Sequence, residues 1–233
     1  MLMNSRPSHD ALQARDGLAL RRSRAALAVL ALSGALAACG SSPPVHYYTL
    51  QTPAASQPGG PAAGSASFLL EVQPVSLSMQ ADQPQLMVRT GDGSISALYS
   101  ERWSSPLGDE LRNALSDALK RDLGALDVQM VKPGPGAPIW RVQTDVQRFE
   151  MVSGSMAQLD ATWRVRPVNA KGTGVLCRSV VTETVTDSEV PSLIAAQQRA
   201  VVSLAGVMAD AIRGQAPAGS ASVQMMGCSA LKE

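Results

Sequence analysis

Histidine is nearly absent. The 233-residue chain has two, His9 and His46. His9 lies in a stretch that reads as a removable leader, so a histidine-based catalytic centre or a His-rich metal site has nothing to be built from. Cysteine is scarce too, and three residues cannot make a zinc finger or a disulfide framework. Aromatic residues make up 3% of the chain, too few for a base-stacking platform or a Trp-rich sugar cleft. Charge is balanced, with 20 Lys and Arg against 19 Asp and Glu. A nucleic-acid binder would show its basic stripe in that count, so no nucleic-acid partner is expected. No Gly-x-Ser-x-Gly elbow occurs either, which disfavours a hydrolase.

Long hydrophobic runs are missing as well. The charge-free run from Ala25 to Ala38 has 14 residues, short of the roughly 20 that a membrane span requires. It has the length of a signal-peptide core, and Arg15, Arg21, Arg22 and Arg24 supply the basic region before it. The stretch before Arg21 is longer than a signal needs, which leaves open initiation further in. The run ends in Leu36-Ala37-Ala38-Cys39, which resembles the bacterial lipobox at all four positions. Residues 1–38 are therefore expected to be removed, leaving Cys39 as an acylated N-terminus. Its covalent diacylglycerol and acyl chains are the only non-protein group expected, and no cofactor is. Two or three chains give stable membrane anchoring where one is marginal. Gly40 in place of an Asp points, by sorting analogy, to the periplasmic face of the outer membrane. Five of the 20 basic and two of the 19 acidic residues lie in the leader. That leaves 15 and 17, so the mature chain has net charge −2 and no pull toward anionic surfaces.

Residues 39–67 read as a lipidated tether. The stretch 51–67 is rich in Pro, Gly, Ala and Ser, has no charge, and cannot bury enough surface to offset its ordering entropy. From Cys39 to Phe68 the root-mean-square reach of a flexible chain is roughly 30 Å. Within it, residues 45–50 (Val-His-Tyr-Tyr-Thr-Leu) form a short β-prone island expected to pair with a domain edge. The globular domain is placed at 68–214, and 215–233 as a flexible polar tail.

The domain begins with alternation at Phe68, Leu70 and Val72. Leu86–Arg89 and Ile95–Tyr99 flank Gly91-Asp92-Gly93, a hairpin signal. Leu107, Leu111, Ala114, Leu115, Ala118, Leu119 and Leu123 then recur at helical spacing. Ser105 is expected as N-cap, Pro106 as the first helical residue and Gly124 just past the end. Leu126, Val128 and Met130 alternate briefly. Three longer alternating runs begin at Trp140, Leu159 and Val175, with a parity break at Phe149 that predicts a bulge near Arg148. An apolar helical face from Leu193 to Ile212 closes the domain. This order predicts one α+β domain: an antiparallel or mixed sheet with two α-helices on one face.

Five motifs follow one another. They are the lipobox Cys39, Tyr47-Tyr48-Thr49-Leu50, the run from Asp82 to Arg89, the run from Arg102 to Leu107, and the run from Asp145 to Phe149. This ordered set resembles the ABC-type transport auxiliary lipoproteins, a family of paraquat-inducible C-like, MCE-associated outer-membrane lipoproteins. The chain departs from the family pattern at Gln83, where Arg is usual, and at Ser104-Ser105, where Ala-Glu is common. The resemblance implies a non-enzymatic auxiliary subunit of an ABC-type system that moves lipid between membranes. Its implied partners are a periplasm-bridging MCE-domain protein and its permease and ATPase, with a homo-oligomeric ring in some members. The other reading of the same domain is a lipoprotein that holds a small apolar ligand in its own cleft.

Asp82, Pro84, Gln85, Arg89, Arg102, Trp103 and Pro106 are the candidate partner-binding or structural residues. Pro84 removes a backbone donor and suits an edge strand or loop. Gln85 and Arg89 either meet a partner or satisfy local backbone groups. Arg102-Trp103 is either an exposed anchor or a Trp packed under the following helix with Arg102 paired to Asp109 or Glu110. Cys177, on a strand, and Cys228, in the tail, either form a disulfide in an oxidising compartment or remain a buried thiol and an idle one.

Overall fold

The computed structural model describes residues 43–52, 65–79, 81–91, 93–129 and 131–231. The leader, Cys39 and most of the Pro/Gly-rich stretch lie outside the described residues. The fold is that of the compact unit Val45–Glu233.

Its sheet has nine strands. They are β1 (His46–Tyr48), β2 (Leu69–Val72), β3 (Ser76–Leu77), β4 (Gln85–Gly91), β5 (Ser94–Trp103), β6 (Ile139–Val152), β7 (Met156–Val168), β8 (Val175–Thr184) and β9 (Val223–Ala230). The spatial order is β1-β5-β4-β6-β7-β8-β9, with β2 and β3 also pairing β6. The hairpin β4–β5 and the meander β6 to β9 are antiparallel. The pairings β1–β5 and of β2, β3 and β4 with β6 are parallel, so the sheet is mixed. Two helices, α1 (Leu107–Leu123) and α2 (Val190–Ile212), pack on each other; α2 covers β7, β8 and β6, and α1 meets β2.

The alternation of the long strands explains which face the helices cover. Val142, Val146, Leu159, Ala161, Trp163, Val165, Cys177 and Val181 are buried, whereas Arg141, Arg164 and Arg178 point to the open face. The register shift between Val146 and Arg148 makes Gln147 the extra residue, so Phe149 and Met151 stay on the core side, paired with Leu159 and Ala157. The bulge expected from the parity break is therefore what keeps the strand's second half in the core. Each large apolar side chain taken wholly from water contributes about 1.5–3 kcal/mol. Trp163 is fully buried, and its indole N–H donates to Ser179 Oγ at 2.9 Å, which removes the penalty for its polar atom.

α2 is long and apolar enough to cross a membrane by length and composition. Within this domain it is the core helix. Ala196, Ala200, Ala205 and Ala209 are all buried, and their small side chains let the backbone approach the sheet closely. The fully buried Gln197 donates to the Glu150 carbonyl at 2.7 Å and so ties the helix to β6 beyond the bulge. α1 ends as its sequence predicts: Gly124 is left-handed at φ 64°, and its N–H returns to the Lys120 carbonyl at 2.9 Å.

Three expectations need correction. The position before α1 is Pro106, not Ser105, and no side chain caps the helix, because the Ser105 hydroxyl turns instead to Glu110. Residues 126–129 do not form a strand, and Met130 lies outside the described residues. Asp127 makes one bridge to Leu70, and its carboxylate is drawn inward by Arg112 Nη2, by Ser116 Oγ at 2.6 Å and by the Val72 N–H. A buried guanidinium needs this acid, and that demand overrides the local pattern. The segment 215–233 contains β9, which pairs along β8, so the tail reading fails for residues 223–230. The expected strand within residues 45–50 is present as β1 beside β5, and Leu50 is buried in the core. The described part of the domain therefore includes residues 45–52, ahead of Phe68.

Candidate functional site

The motifs singled out in the sequence meet around one groove and one carboxylate. The groove arises where the edge of β6 changes partner. β3 pairs it at Asp145 and Val146, and β4 takes over only at Met151 and Val152. Between them the Ala81 and Asp82 N–H groups bond back to the Ser78 carbonyl, and Ser78, Ala81 and Gln83 line one side of an opening. The resulting cleft has a volume of about 530 Å³ and an apolar floor of Met87, Trp103, Leu107, Phe149 and Met151. Trp103 and Phe149 meet edge to face with centroids 5.9 Å apart.

The candidate residues divide over this region. Arg89 lines the groove and pairs with Glu150 at 2.8 Å, so it satisfies a carboxylate rather than local backbone groups. Trp103 is 5% exposed, which rules it out as an exposed anchor; it is packed at the start of α1. Arg102 does not reach Asp109 or Glu110, and its Nε donates to the Tyr99 carbonyl at 3.2 Å. The Pro84 carbonyl accepts the Trp103 N–H at 3.1 Å, and Gln85 opens β4 opposite Arg102. Asp82 is exposed on the loop above the groove. Pro106 offers its carbonyl to the N–H groups of Asp109 and Glu110, starting α1.

Sequence reasoning missed the residue that joins these pieces. Glu110, in the first turn of α1, is 3% exposed. It accepts hydrogen bonds from Ser104 Oγ at 2.6 Å, Ser105 Oγ at 2.7 Å, Thr49 Oγ1 at 2.7 Å and the Leu50 N–H at 2.9 Å. Burial pushes its carboxyl up, but the Ser104, Thr49, Ser105 and Leu50 donors outweigh that, and the net shift is downward. An acid after Ser-Ser-Pro was legible as a first-turn helix residue. Its partners Thr49 and Leu50 lie about sixty positions away and left no sequence signal.

A second carboxylate sits one strand over. Glu101 on β5 is held below the usual range by the His46 imidazole at 3.0 Å and by the Tyr48 hydroxyl, with burial opposing. Burial first, and then the adjacent Glu101, hold the Tyr48 phenol up at about 12. Both partners belong to β1, so Glu101 and Glu110 together fasten the N-terminal strand.

At the opposite edge, Cys177 and Cys228 are directly opposed in the β8–β9 register and are joined as a disulfide with Cα atoms 4.1 Å apart. Cys177 is buried and Cys228 exposed. Among the described residues no group of three or more His, Cys, Asp or Glu could hold a metal ion.

An open mixed sheet backed by two helices, entered through a strand pinned by a buried acid, defines an α+β domain of the lipoprotein auxiliary class. The chain matches the model of the ABC-type transport auxiliary lipoprotein component over residues 48–209 and belongs to that family. A crystal structure described only as that of an uncharacterized protein aligns with a TM-score of 0.54 and 17% identity, covering 73% of this chain and 99% of that one. Protein XCC0632 from Xanthomonas campestris, of the family DUF330, aligns with a TM-score of 0.51 and 18% identity, covering 74% and 97%. At these identities the likeness speaks for the fold alone. No curated protein matches the chain in sequence.

Proposed function

We propose that this chain is an outer-membrane lipoprotein, acylated at Cys39, that serves an MCE-linked ABC-type lipid transport system as a non-catalytic auxiliary subunit. It holds the periplasm-bridging MCE-domain protein at the membrane, while the permease and ATPase work at the other end. Family membership supplies the transport context. The observation that carries the holding role is the fastening of β1 through Glu110 and Glu101. Six peptide steps separate Cys39 from Val45, a span of at most about 22 Å when fully extended. The domain is thereby kept within a short reach of its anchor, as a docking subunit must be. The non-catalytic reading rests on Glu110 itself. Its carboxylate is taken up by four donors, and the His46 imidazole is engaged with Glu101 instead.

Crosslinking the native lipoprotein in whole cells and purifying it tests this reading. The expected partners are an MCE-domain protein and its permease, and a ladder of crosslinked copies would reveal a ring. Recovery of neither transport protein would defeat the docking role. Cys39→Ala should move the protein from the membrane to the soluble fraction.

A further inference from the structure

The groove beside β6 carries a loosely paired guanidinium at its mouth. Among the described residues Glu150 is the one carboxylate lining it, and two guanidinium groups face it. Arg89 Nη2 takes the carboxylate at 2.8 Å, while Arg148 Nε stands 4.0 Å away and its side chain is 57% exposed. Glu150 is taken by Arg89, so Arg148 stands loosely paired and exposed at the rim above an apolar floor. Ile95, 52% exposed, extends that floor outward along β5. The volume of about 530 Å³ lies in the range of small-molecule sites.

A loosely paired cation over an apolar trough suits an amphiphile: an apolar chain for the floor and a negative charge for Arg148. The groove also lies near the anchored end of the domain. Trp103, on its floor, pairs in register with Tyr48 of β1. We infer that this groove binds one acyl chain of an anionic single-chain lipid, with the headgroup at Arg148 and the chain along Trp103, Phe149 and Ile95. The inference is separate from the docking role and adds a lipid contact on the same domain. The occupant is a lipid drawn from the membrane, not the chain's own acyl group.

The test uses the full-length lipoprotein in phosphatidylethanolamine–phosphatidylglycerol vesicles carrying diazirine-labelled palmitate, with crosslinks mapped by peptide mass spectrometry. Labelling is expected to concentrate on the peptides holding Trp103 and Phe149. Ile95→Glu, a change at a half-exposed side chain, should reduce it at least tenfold. Arg148→Glu should reduce labelling by palmitate severalfold yet leave labelling by its neutral methyl ester unchanged. Labelling spread evenly over the domain, or indifferent to both substitutions, overturns the inference. So does an equal loss for acid and ester with Arg148→Glu, or groove labelling seen only when the diazirine chain is incorporated at Cys39.

Discussion

At the first edge of the sheet, β1 is held by a buried carboxylate that gathers Thr49, Leu50, Ser104 and Ser105. At the last edge, β9 is held by the covalent Cys177–Cys228 link. Both devices answer one problem, because a terminal strand has a neighbour on one side only and frays unless tied. They differ in what releases them. Hydrogen bonds to a charged acceptor contribute about 1.5–3 kcal/mol each at most and respond to protons. A disulfide contributes about 2–4 kcal/mol and responds to thiol reductants. The edge beside the proposed lipid anchor therefore carries the reversible fastening, and the far edge carries the covalent one.

Substitutions that strike one edge alone test that division. Glu110→Ala should have the largest effect, since it strips the acceptor from four donors. A loss of about 4 kcal/mol is expected in denaturant unfolding. Hydrogen exchange should show β1 amides opening while β9 stays protected; simultaneous opening of both would show that the edges are not independent. Cys228→Ser should cost about 3 kcal/mol and loosen β9 without exposing β1. Before reduction, the intact protein should be two protons lighter than the dithiol form, and alkylation of two thiols in the unreduced protein would contradict the link. Ser105→Ala, which removes one of two hydroxyls on the same oxygen, should cost only about 1 kcal/mol.

The finest discrimination is in pH. The folded state lowers the Glu110 carboxyl. Its contribution is present above the ordinary carboxylate value and is lost as pH falls through the folded one. Urea midpoints measured from pH 7 downward should fall more gently in Glu110→Gln than in the parent. The acid slope of Cys228→Ser should match the parent's.

Local pattern carried much of the fold. The helical spacing from Leu107 to Leu123, the left-handed Gly124 and the parity break at Phe149 were all readable, because each is decided by neighbours within a few residues. The Asp82–Arg89 and Arg102–Pro106 motifs were readable as special, but their roles were not. Arg102 turns to its own strand's carbonyl and Arg89 to Glu150, sixty-one residues away. The Asp127 segment was misread for a similar reason: its alternation is genuine, but Arg112 on α1 needs its carboxylate.

By itself, then, the chain of residues determined both helices and the long strands, the scarcity of histidine, the lipobox resemblance and the two-helix, one-sheet class. Those follow from composition and short-range periodicity, which any segment carries wherever it is placed. Tertiary structure alone decided that residues 223–230 form the sheet's last strand, which of the two readings of Cys177 and Cys228 holds, and that Glu110 is a clamp. Each of these rests on groups brought together across about fifty to sixty positions. No local pattern encodes such a meeting, because its energy exists only once the core has closed around it.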